Sequence, residues 1–167
     1  MIAKFVTAGV LAAGLVACEP SADDKASEAI PMGISQNTGI ITLTSANSVD
    51  MTIDRMEAAI KAKGLRVFAR VDHQQNAKDM GLTMRPNTLL IFGSPKIGSP
   101  LMNENPTMGL DLPVKALAWQ DEDGNVFLSY NDPAYLKDRH GIEKATMPLE
   151  KMTKALTGLT AHATTKE

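Results

Sequence analysis

From residue 38 onward the hydrophobic and polar positions change period several times, and each change marks an element. Residues 39–45, GIITLTS, are rich in β-branched side chains and predict a strand. Ser48 then offers an N-cap to an amphipathic helix reaching about residue 63, with Ile53, Met56, Ala59 and Ile60 as its apolar stripe. Lys61 and Lys63 suit its last turn and Gly64 its stop. Residues 65–71 return to period two, with Leu65, Val67 and Val71 expected on one face and Arg66, Phe68 and Arg70 on the other. Asp72 with Gln75 resembles a capping box opening a short helix that Gly81 closes. The unbroken apolar run TLLIFG, 88–93, predicts a strand covered on both faces.

Ser94-Pro95 and Ser99-Pro100 each look like an N-cap followed by proline at the first helical position, so short helical turns and loop are expected up to residue 111. A hairpin follows: VKALAWQ (114–120), the turn DEDG (121–124), then NVFLSY (125–130). If DEDG closes a two- or four-residue loop, Lys115, Leu117 and Trp119 share a face with Val126, Leu128 and Tyr130. Val114, Ala116 and Ala118 then lie with Phe127 and Ser129. Asp132-Pro133 starts a short helix ending at Gly141, and a last helix from about residue 147 buries Leu149, Met152, Leu156 and Leu159. The order is β-α-β-β-β-β-α. Only the first connection is a long helix, so the expected fold is a two-layer α+β domain with a mixed or mostly antiparallel five-stranded sheet. Helices should lie mainly on one face, and both faces of the hairpin are substantially apolar. The face without helices then needs a ligand, loops or a second subunit, which favours a homodimer.

The first 37 residues have a different texture. Lys4 precedes the apolar run 5–17, FVTAGVLAAGLVA, which is too short at roughly 20 Å to span a bilayer core of roughly 30 Å. It reads as a signal peptide over residues 1–17. Leu15-Val16-Ala17-Cys18 resembles the lipobox of bacterial lipoproteins, and the resemblance implies cleavage before Cys18 and acylation of that residue. Cys18 is the only cysteine, so it has no partner for a disulfide within the chain. Residues 18–37, rich in Pro, Ser, Ala and charge without periodicity, are expected to form a flexible tether to a domain at 38–163, with a frayed tail at 164–167. Glu19 after the cysteine resembles the enterobacterial outer-membrane sorting pattern rather than the inner-membrane one. The expected address is the bacterial envelope, periplasm-facing, with the membrane as partner through the lipid on Cys18.

Charge removes one class of partner. The chain carries 17 basic and 19 acidic residues, and without residues 1–17, which hold Lys4 and no acid, 16 face 19. No basic cluster exceeds KAK at 61–63, so nucleic-acid binding is not expected. The histidines show no HxH, HxxxH or HExxH spacing, which argues against a structural zinc site, and no cofactor fingerprint is present. Ten methionines raise a copper(I) reading, but they form no MxM or MxxM cluster and suit the filling of a core poor in aromatics.

Candidate chemistry is sparse. His73 follows Asp72, which is better placed to cap the helix than to orient the ring. Lys115 and Tyr130 fall on one face in the expected register and would offer a cation and a phenol to a pocket. Trp119 reads as a core or interface anchor, and Asp111 as a loop residue beside Leu112-Pro113. His140 precedes the helix stop Gly141, where a cation suits the dipole, and His162 falls near the chain end.

The segments VDHQQNA (71–77), TLLIFGSPKIGSPLM (88–102), LDLPVKALAWQDEDG (110–124) and LSYNDPAYL (128–136) together resemble the "domain of unknown function 302" family. That resemblance implies a compact α+β fold, dimeric, and no assigned reaction. The expectation is a lipid-anchored envelope protein that binds a small ligand or a protein partner without catalysis. Two rivals stand beside it: a hydrolase or lyase using His73 with Lys115 or Tyr130, and an envelope copper or redox-stress carrier.

Overall fold

The computed structural model describes residues 38–166; the expected leader, Cys18 and the tether lie outside the described residues. Strand β1 (Ile40–Ser45) runs into helix α1 (Val49–Ala62), whose N-cap Ser48 accepts a hydrogen bond from the Met51 amide. Strand β2 (Arg66–Asp72) and helix α2 (His73–Asp79) follow, with the Asp72 carboxylate accepting from the Gln75 amide as the sequence predicts. Strand β3 (Asn87–Gly93) leads into helix α3 (Pro95–Glu104), a 3-10 turn over Pro106–Leu110, and strand β4 (Val114–Gln120). Strand β5 (Val126–Asn131), helix α4 (Pro133–His140) and helix α5 (Thr146–Thr164) complete the domain.

The five strands lie in the order β1-β5-β4-β3-β2, and every neighbouring pair is antiparallel. β1 and β2 therefore occupy opposite edges while running in the same direction, and α1 carries the chain across the sheet between them. α1 and α5 cover one face. Their Ile53, Met56, Ile60, Leu149, Leu156 and Leu159 meet Leu90, Phe92 and Leu128, all buried. The central β4 contributes Ala116 and Ala118 to that face, both 0% exposed, and their small side chains let the helices approach. Burying each large apolar side chain contributes roughly 1.5–3 kcal/mol, so this layer is the main source of stability.

The structure changes four sequence expectations, each for a local physical reason. Gln120 pairs with Val126, so the hairpin loop holds the five residues 121–125. Asp121 organises it, its Oδ1 accepting from the Asp123 and Asn125 amides at 3.0 and 2.8 Å. An odd loop exchanges the faces of β5: Ala116 lies opposite Tyr130 and Ala118 opposite Leu128 on the buried side, while Trp119 lies opposite Phe127 on the open side. In β2 the register slips between Val67 and Ala69, a bulge that places Val67 beside Phe92 on the helix side and Val71 beside Leu89 on the open side. The slip also turns Arg70 toward α1, where it meets Asp54 at 2.5 Å, with Asp50 and Glu57 each at 3.7 Å. β3 is covered on one face only, since buried Thr88, Leu90 and Phe92 alternate with half-buried Leu89 and Ile91. Finally, α3 continues through Pro100. Pro100 and Lys96 are both exposed, so water can serve the Lys96 carbonyl that proline leaves without a helical donor. At the chain end, α5 extends to Thr164, which is 8% exposed, and Asn47 Nδ2 donates to the Ala163 and Thr165 carbonyls at 3.0 Å each.

Candidate apolar binding pocket and the polar cluster beside it

One end of the sheet is where β1, β2 and β4 begin and β3 and β5 finish. There, on the helix side, lies a cavity of about 210 Å³. Leu65 and Phe68 bound it from the β2 edge, Phe92 and Gly93 from β3, and Ile97, Gly98 and Met102 from α3. Leu112, Pro113 and Val114 close a further side, and α5 supplies Met152, Ala155 and Leu156. The sequence places α3 here because Ser94-Pro95 terminates β3 and starts a helix immediately. Gly98 is buried, and a Cβ on it would stand in ordinary contact distance, 3.5 Å from Leu112 Cδ1 and 3.6 Å from Met102 Cε. The only side-chain polar groups in the wall are the hydroxyls of Ser94 and Ser99, and no ionisable side chain lines it.

Behind the Leu112-Pro113 corner sits a polar cluster that the sequence did not join together. His140, the last residue of α4, is 5% exposed, and its Nε2 lies 2.7 Å from Asp111 Oδ2. Its Nδ1 lies 2.8 Å from Thr107 Oγ1, which is also 2.8 Å from Asn105 Oδ1. Asn105 Nδ2 donates to the His140 carbonyl at 2.7 Å, and Arg139 approaches Asp111 Oδ2 at 3.4 Å. Against a carboxylate, which only accepts, Nε2 must carry the proton. Nδ1 then accepts the Thr107 hydroxyl when the ring is neutral; when the ring is charged, it donates to Oγ1 and the hydroxyl turns to Asn105. Either state is fully hydrogen-bonded. The order Thr107–His140–Asp111 is that of hydroxyl, imidazole and orienting carboxylate. None of the three lines the apolar cavity, and their hydrogen bonds tie the end of α4 to the 3-10 turn and to Asp111 after it. Among the described residues no group of three His, Cys, Asp or Glu side chains could hold a metal ion.

The residues singled out by sequence are dispersed. Asp111 enters the cluster just described and is buried. Tyr130 is 8% exposed under α5; burial pushes its phenol above the ordinary range, against a hydrogen bond with Thr160 that lowers it, with the Asp132 charge adding to the rise. Lys115 lies on the opposite face of the sheet, its Nζ 3.4 Å from the Leu110 carbonyl and 3.5 Å from that of Asp111. The five-residue loop is the reason these two do not meet. His73 opens α2 beyond Asp72, which pairs with Thr88, whereas Lys115 pairs with Ile91. The two are therefore about 13 Å apart along the strands and two strands, about 9.5 Å, across. The convergence needed for joint acid–base chemistry is not formed. Trp119 stands on the open face, stacked on Phe127 with ring centroids 4.8 Å apart, and its Nε1 donates to Ser129 Oγ at 2.9 Å. The missed feature, His140, carried one signal: it precedes a glycine helix stop. Its carboxylate partner lies 29 residues away, a distance no local pattern bridges.

A family model described as "Domain of unknown function DUF302" matches residues 41–159, more of the chain than the segments that carried the resemblance. A protein of Brucella suis biovar 1 (strain 1330) named "Fluoride-specific ion channel FluC 1" is 44% identical over 146 residues, covering 84% of this chain and 57% of that protein. The protein of the same name from Brucella abortus biovar 1 (strain 9-941) is also 44% identical, with 54% of its length covered. The chain thus spans little more than half the length of the curated relatives it matches. A crystal structure of an uncharacterised conserved DUF302 protein from Bacillus stearothermophilus superposes with a TM-score of 0.67 at 20% identity, covering 75% of this chain and 98% of that one. No helix among the described residues is long and apolar enough to cross a membrane.

Proposed function

The chain belongs to the DUF302 family, and on that premise we propose that it is a non-catalytic binding module held at the bacterial cell envelope. The observation that carries the binding reading is the cavity between β3, α3 and α5. It is concave and apolar, and no ionisable side chain lines it, which suits retention of a ligand and offers no acid or base to the two serine hydroxyls of its wall. The anchor in this proposal is an acylated Cys18, periplasm-facing and in the outer rather than the inner membrane.

The channel-named relatives favour a membrane-proximal role from another direction. Their match to this chain leaves 43–46% of their length uncovered, and no described helix here could cross a bilayer. We therefore assign the conducting part implied by their name to that uncovered portion, with the matching portion an appended domain. On this reading one domain is kept beside a membrane in two ways, by attachment to a channel there and by lipid here.

The open face of the sheet is our proposed self-association surface. Trp119, Phe127, Leu117 and Ile91 share it, and Ile40 at its edge is 53% exposed. Native mass spectrometry of protein purified gently from its own membranes tests these proposals together. Expected are an acyl mass on Cys18, a twofold subunit number and a small co-purifying ligand. An unmodified Cys18 would remove the anchor, and a monomer at micromolar concentration would remove the dimer.

A further inference from the structure

We propose that the cavity between β3, α3 and α5 takes the tail of a single-chain carboxylate, a fatty acid, with its head group in solvent at the mouth beside Arg66. This deepens the binding reading above and rests on it. A buried ligand must leave no donor or acceptor in the wall without a partner, and this wall is hydrocarbon and thioether apart from two serine hydroxyls. The enclosed part of the ligand is therefore hydrocarbon as well. At about 210 Å³ the cavity exceeds the roughly 150 Å³ that accommodates benzene, which by proportion is room for roughly eight carbons.

Two features favour a flexible chain over a rigid ring. Met102 from α3 and Met152 from α5 contribute unbranched side chains that adapt to a chain of variable curvature. Phe68, the exposed ring of the lining, already has a guanidinium on its face, with Arg66 Cζ 4.8 Å from the centroid. That same contact sets the charge of the head group. It holds a cation on a ring of the lining, and the lining contains no acid. An anionic head is thus attracted and a cationic one repelled.

The test uses the chain from residue 18 with Cys18→Ala, which carries neither leader nor acyl group, in detergent-free buffer. Isothermal titration with hexanoate, heptanoate, octanoate, decanoate and dodecanoate should show affinity rising about fourfold per methylene and levelling once roughly eight carbons are enclosed. Octanol should bind several-fold more weakly than octanoate. Arg66→Gln should narrow that gap while leaving octanol unchanged. Ala155→Phe, which fills the cavity from α5, should abolish binding of every chain; Ala155→Met should weaken it, and supplies the same readout if the larger substitution fails to fold. Affinity independent of chain length, tighter binding of benzoate than of octanoate, or octanoate binding undiminished in both Ala155 variants would overturn the proposal. Vesicles of phosphatidylglycerol distinguish the source: vesicle binding that Ala155→Phe abolishes, with no titration signal from any monomeric alkanoate, would replace a free fatty acid with a bilayer chain and overturn the proposal as stated. Flat titrations would leave acylation of Cys18 untouched, and loss of that acylation would leave the titrations standing.

Discussion

His140 and Glu104 show how single side chains set stability here. Replacing His140 by Ala removes a hydrogen-bonding partner of the Asp111 carboxylate, whose side chain is 10% exposed, and leaves Arg139 at 3.4 Å beside it. The expected cost is roughly 2–4 kcal/mol, read as a lower urea midpoint at unchanged slope. Asp111→Asn keeps an acceptor for Nε2 and should cost less. Glu104 acts differently. Its Oε1 accepts from the Glu143 and Lys144 amides at 2.7 and 2.8 Å, and its Oε2 from the Ala145 amide at 2.7 Å, just before α5 begins. The Lys144 amide, then those of Glu143 and Ala145, hold this carboxyl below its ordinary value of 4.5. A folded value below the unfolded one means the contribution is fully present above the unfolded value and is lost as pH falls through the folded one. The stability difference between wild type and Glu104→Gln should accordingly be constant near neutrality and shrink on acidification below 4.5, as followed by urea unfolding across pH.

At the scale of elements, what was legible depended on whether a signal was local. Caps and stops were legible because they act within four residues: Ser48, Asp72, Asp132 and Gly141 all stand where the pattern put them. The face of a strand was legible only where nothing interrupted the period. β2 lost its expected faces to a one-residue bulge, and β5 lost its own to one residue more in the loop than DEDG supplies. The proposed pocket was illegible for another reason, since four separate stretches of chain build its wall and each reads alone as ordinary core. The entry to β1 offers a test of element joining. Gly39 has φ +69° and lies under the Tyr135 ring of α4, so a Cβ there would overlap the ring. Gly39→Ala should cost roughly 2–4 kcal/mol through left-handed backbone strain and overlap together, seen as a lower thermal midpoint. Gly64→Ala, with φ +68° and open space around it, isolates the backbone share and should cost less.

For the molecule as a whole, the asymmetry of the sheet is the main consequence. One face carries α1, α3 and α5, and the other presents a stacked Trp119–Phe127 pair with Leu117 beside it. Trp119 is the single tryptophan, so its emission reports on this face alone. If the open face is the contact between copies, dilution should shift that emission to the red as the pair separates. Leu117→Lys should give the diluted spectrum at all concentrations, with its far-ultraviolet circular dichroism unchanged. A spectrum independent of concentration in the wild type would count against the paired-sheet arrangement. The loop between β4 and β5 has a consequence of its own, one of parity. Gaining or losing a single residue between Gln120 and Val126 would present Phe127 to the helices and turn Leu128 and Tyr130 outward, whereas a change of two would restore the order. Insertions and deletions at this hairpin among related domains should therefore come in even numbers.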